Sequence, residues 1–177
     1  MKQKEQLQEL INMAVMHDEY KQKLYTAVSN KRYVEGVWLC YAIFEQRINR
    51  LIQKFIDECP VPPRDDDKTV AITTRIQCIK KLVANKYGGF AGFDSGLLDE
   101  ILVWCDRRND LCHALVDLTK YKEYDKLFSD LCNDGVPLVT RLYSEATKIR
   151  EWYKNNNTWP EFPNSKCRCK NKKCIKQ

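Results

Sequence analysis

Glycine and proline, six of each in 177 residues, fall mostly between stretches whose apolar residues recur every three to four positions. That period predicts helices everywhere and strands nowhere. Residues 3–28 read as a first helix, ending near Ser29-Asn30. A second, 31–58, stops before Pro60, because Pro62 and Pro63 cannot continue it. Pro60 to Asp67 is an acidic, proline-rich linker. A third helix covers 69–86 and closes at the glycine-rich segment Tyr87 to Gly92. Asp94 or Ser95 caps a fourth. Residues 121–133 and 137–154 read as two more, divided at Asp134-Gly135. The expectation is an all-α protein: a single bundle of about five to six helices over residues 1–154, followed by a basic, cysteine-containing tail, 155–177.

The charge of +6 is a property of that tail. Residues 166–177 contain Lys166, Arg168, Lys170, Lys172, Lys173 and Lys176 and no acid, which leaves 24 basic residues against 24 acidic in residues 1–165. The bundle is therefore neutral, and a generic basic attraction to nucleic acid applies only to the tail. No run approaches the roughly 20 apolar residues of a membrane span, and Met1 to Gln6 lacks the apolar stretch of an export signal. A cytoplasmic protein without membrane contact is the expectation. On that view Cys40, Cys59, Cys78, Cys105, Cys112 and Cys132 are reduced, mostly buried thiols.

The fourth helix breaks its own pattern. With Leu97 at 0° and about 100° per residue, Ile101, Cys112, Cys105, Leu98 and Leu102 occupy an arc from about 40° to 140°. With Leu115 back at 0°, Arg108 at about 20° and Asn109 at about 120° both fall within that stripe, His113 at about 160° at its edge, and Arg107 at about 280° in solvent. In the second helix Glu45 interrupts a face made by Val34, Val37, Trp38, Tyr41, Ile48 and Ile52. Charged groups are rarely buried without partners, so Arg108 is the expected counter-charge of Glu45. Two readings remain open: a structural ion pair with a hydrogen-bonded His113, or a polar cleft that binds a ligand.

Arg108, the four residues Asn109-Asp110-Leu111-Cys112, and His113, in a late helix of a small helical chain, resemble the HEPN superfamily. Its signature is an arginine, four to six residues and a histidine, often with a polar residue after the arginine. The segment Tyr41 to Ile52 is similar to an early helix of such proteins, and the likeness covers about residues 5–154. The resemblance implies a metal-independent endoribonuclease without cofactor. It acts on an RNA substrate as a homodimer that joins two copies of the motif, and it serves as a toxin or antiviral defence effector with an antitoxin or regulatory partner. His113 is then the general acid or base and Arg108 the cation on the phosphoryl oxygens. Asn109 holds the phosphate or orients His113, and Glu45 supports Arg108. The rival reading is a non-catalytic helical module that binds nucleic acid or a protein.

Other features carry less. Cys167, Cys169 and Cys174 are spaced like metal ligands, but structural zinc takes four, and the tail contains only these three. Lys166, Arg168, Lys170, Lys172 and Lys173 instead predict nonspecific contact with RNA phosphates. Trp38, Tyr41 and Phe44 have the spacing of core residues rather than of a base-stacking platform. Gly88 to Gly92 lacks the lysine and hydroxyl residue of a phosphate loop.

Overall fold

In the computed structural model, residues 19–53, 71–114 and 121–156 are described. They are helical, without a strand. Helix α1 spans residues 19–29, and α2 is Tyr33–Gln53, α3 Ile72–Ala84, α4 Ser95–Ala114 and α5 Tyr121–Asn155. A 3-10 turn, Gly88–Gly92, joins α3 to α4.

The ends have local causes. Between α1 and α2 the chain reverses at Lys31, whose φ of 56° is in the left-handed region. There the amides of Lys31 and Arg32 close on the carbonyls of Val28 and Ala27. Before α4, the Asp94 carboxylate accepts from the amides of Gly96 and Leu97, at 3.0 and 3.3 Å, as an N-cap does. The same aspartate anchors the helix to α5. Its Oδ2 takes a 2.8 Å bond from Arg141, which also forks onto Glu100, and its amide donates to the buried Glu145 carboxylate. Arg141 holds the Asp94 carboxyl below the usual carboxylate range.

Helices α2 and α5 share the largest interface, and α4 and α3 close over it. The middle of the core is Trp104, 1% exposed. Its ring meets Phe44 edge-on at 5.1 Å, and its indole N–H donates to the Leu131 carbonyl at 2.8 Å.

Helix α5 corrects the expected division at Asp134-Gly135, for it runs unbroken with Pro137 inside it. Proline normally interrupts a helix by removing one amide and crowding the preceding turn. Here Phe128, Leu131 and Cys132 before it, and Leu138, Val139 and Leu142 after it, all bury into one core. A break would expose one half of that face. Gly135 is buried where α5 packs closely against α4 and α2. A Cβ on it would lie 2.9 Å from Trp104 Nε1 and 3.0 Å from Cys40 Sγ. Gly135→Ala gains about 0.5–1 kcal/mol of helix propensity but, with the Trp104 contact under 3.0 Å, overpacks the core by about 2–3 kcal/mol. We expect the thermal midpoint to fall by about 2–8 °C for a chain of this size, measured by calorimetry; an unchanged or raised midpoint would contradict the close approach.

Cys78 corrects a second expectation. It is disulfide-bonded, whereas Cys40, Cys105, Cys112 and Cys132 are free. Cys40, Cys105 and Cys132 are buried free thiols, as anticipated. No helix among the described residues is long and apolar enough to cross a membrane.

Candidate active site around Arg108

The buried residues of α4 are Leu97, Leu98, Ile101, Trp104, Cys105 and Leu111. On the same wheel they span from about 320° through 0° to about 100°, so the stripe lies some 60° back from its expected position. Trp104 and Leu111 cause the shift, since their bulk goes inward. Arg108 is then at the middle of the buried face, half-buried, while Asn109 and His113 turn outward and are exposed. Arg107 is on the surface, paired with Asp134 at 2.8 Å.

Arg108 does not pair with Glu45, which corrects the expected ion pair. Among the described residues Glu45 pairs with Arg75 of α3, at 3.8 Å. Helix α2 explains this, because its buried residues include Val37, Cys40, Phe44 and Ile48, a stripe that passes beside the Val34, Trp38, Tyr41 and Glu45 ridge rather than through it. Glu45 is therefore half-exposed at the α2/α3 edge, with no burial that requires a strong partner.

What holds Arg108 is aromatic. Its guanidinium carbon lies 4.1 Å from the centre of the Trp38 ring and 4.2 Å from that of Tyr41, within the range where ring quadrupole and cation attract. Its Nη1 donates to Asn109 Oδ1 at 2.9 Å, so Asn109 orients the arginine. Its Nε is buried without an acceptor. A guanidinium has five N–H donors in a rigid fork, and among the described residues no carboxylate takes any of them. Burial raises the Tyr41 phenol above its ordinary value; Glu45 adds to this and Arg108 opposes it, so all three groups share one local field. Cys105, beneath them, is pushed up to about 12 by burial, which leaves it a thiol at neutral pH and no nucleophile.

His113 lies one turn beyond Asn109 and five residues beyond Arg108, about 7.5 Å along the helix axis. The two exposed side chains stand one above the other on the surface, and Arg108, about 140° around the helix from His113, reaches this surface through its bond to Asn109. The site thus contains a clamped cation, an amide that fixes it, and an exposed imidazole. Trp38, 50% exposed, belongs to it as well. Sequence periodicity placed Trp38 and Tyr41 in the core, but only Phe44 of the three is fully buried. No three His, Cys, Asp or Glu side chains among the described residues are grouped to hold a metal. Cys167, Cys169 and Cys174, and the tail residues Lys166, Arg168, Lys170, Lys172 and Lys173, lie outside the described residues. Comparison with known proteins gives no match to a family model, to a curated protein or to a solved structure.

Proposed function

We propose that this protein is a metal-independent endoribonuclease whose site is built on Arg108, Asn109 and His113. The observation that carries the reading is Arg108: a guanidinium in the middle of a buried face, gripped by two rings and an amide, with no carboxylate among the described residues to neutralise it. A structural arginine in that position is ordinarily paired. One held by stacking keeps its charge and most of its N–H fork for an anion, and a phosphodiester is the anion its planar geometry suits.

The reaction is attack of an RNA 2′-oxygen on the adjacent phosphorus. The P–O2′ bond forms, the P–O5′ bond breaks, one proton leaves the 2′-hydroxyl and one is delivered to the departing O5′. Products carry 2′,3′-cyclic phosphate and 5′-hydroxyl ends. Arg108 neutralises charge that grows on the phosphoryl oxygens. His113 moves one of the two protons. A homodimer across a two-fold axis supplies a second His113 for the other, and Glu45 supports the site indirectly, through Tyr41.

The test is incubation of the purified full chain with single-stranded RNA in excess chelator, with end-group analysis of the products. Arg108→Ala should lower cleavage by about 10²–10³, and Arg108→Lys should restore little, since a point charge lacks the fork. Cleavage that survives Arg108→Ala would reject the site. Binding of RNA without cleavage would favour the non-catalytic module, a reading that the exposed Trp38 beside a cation also suits.

A further inference from the structure

A second group of cations meets on the other side of α2. Arg47 is nine residues beyond Trp38, about 180° around the helix, so it faces away from the Arg108 site. Its guanidinium carbon lies 3.8 Å over the ring of Tyr143 in α5. From α1, Lys21 Nζ approaches the same ring at 5.4 Å. Two cations from different helices are thus drawn to one half-buried tyrosine. Neither forms a salt bridge among the described residues, and Arg47 Nε is buried without an acceptor. The Arg47 charge is felt along α2: burial, and then the like charge of Arg47, hold the Arg50 guanidinium below the ordinary arginine value.

Gathering like charges at a half-buried point costs energy that an opposite charge would offset. Two further rings stand beside these cations on α1: Tyr25, 5.9 Å from Lys21, and Tyr20, 5.9 Å from Lys23. Cation–ring contacts of energetic weight occur about once per 70–80 residues; here three are linked through Lys21 and Tyr143. Tyr25 is 43% exposed. Cations beside an exposed ring are the composition that tracks a single-stranded backbone and stacks its bases, whereas an acidic protein surface would use the charges and leave the ring idle.

We propose that the junction of α1, α2 and α5 around Tyr143 binds the phosphodiester backbone of single-stranded nucleic acid, with Lys21 and Arg47 on the phosphates and Tyr25 available to a base. The site is separate from Arg108 and does not depend on cleavage. Strand held there lies on the opposite side of α2 from the chemistry, so it anchors a substrate rather than reacts with it.

The experiment uses the full chain and a labelled single-stranded DNA of about 20 nucleotides, longer than the roughly 4–16 nucleotides that single-strand sites commonly cover. DNA lacks the 2′-hydroxyl, so its binding is read apart from the proposed ribonuclease activity. Lys21→Met with Arg47→Met keeps the apolar stems against the rings and removes two charges. Affinity at about 50 mM salt should fall at least tenfold, and the slope of log affinity against log salt should decrease by about 1.4, or 0.7 for each lost phosphate contact. Arg47→Lys should keep the slope. The control, Lys81→Ala with Lys86→Ala, removes two exposed charges from α3 and its C-terminal turn and should change both readings much less. An equal effect of the control, or none from the double methionine variant with an unchanged melting midpoint, would overturn the site. So would loss of binding to polyglutamate but not to DNA, which would mark an acidic protein partner.

Discussion

With His113 replaced by alanine, cleavage of single-stranded RNA in excess chelator should fall by about 10²–10⁴, the usual contribution of a positioned proton carrier. The side chain is exposed in the last turn of α4, so its removal leaves no cavity and no orphaned buried group. The melting midpoint should stay within about 1–2 °C, as for surface substitutions generally. Affinity for a non-cleavable single strand should also be retained, because the imidazole is assigned a proton and not a phosphate. The loss therefore belongs in turnover, and added imidazole should return part of it. A histidine that merely capped α4 would give the opposite result, a lowered midpoint with unchanged cleavage. Equal loss of binding and turnover would move His113 from proton transfer to substrate contact.

The largest effect on stability is expected at Trp104. Trp104→Ala should remove about 3–5 kcal/mol, a large part of the roughly 5–15 kcal/mol that holds a domain together. Three features concentrate the loss there. The side chain is 1% exposed, it packs edge-on against Phe44 of α2, and its N–H reaches across to the Leu131 carbonyl of α5. Its removal therefore loosens α4 from both neighbours at the level of the close approach at Gly135. Trp104→Phe should keep most of the packing and lose the hydrogen bond, at about 1–2 kcal/mol. Denaturant unfolding separates the two, and a loss under about 1 kcal/mol for the alanine variant would place Trp104 outside the core.

The candidate site was legible in part. That Arg108 sits on the inner face of its helix and Arg107 on the outer follows from spacing alone, and the structure has both so. The partner of Arg108 did not follow. Pairing it with Glu45 assumed that both helices turn their charged residues toward the same seam, but the rotation of each is set by its bulkiest buried side chains. Trp104 and Leu111 turn α4 by some 60°, and Cys40 and Phe44 turn α2 so that Trp38 and Tyr41 become a flank. A cation can be satisfied by rings as well as by acids, and spacing does not distinguish them. Lys21, Arg47 and Tyr143, far apart in sequence, gave no signal before packing brought them together.

What the amino-acid order determined by itself is that the described segments are helical and where most of the helices end, because period, caps and breakers act within a few residues: Asp94 starts α4, and α1 stops at Ser29-Asn30. What only the tertiary structure decided is which of those local rules yield. Asp134-Gly135-x-Pro137 signals a break, yet α5 continues, since burying one apolar face along its whole length against α2 and α4 outweighs the cost of a missing amide. The same packing, acting through side-chain bulk, chose rings over a carboxylate to hold Arg108.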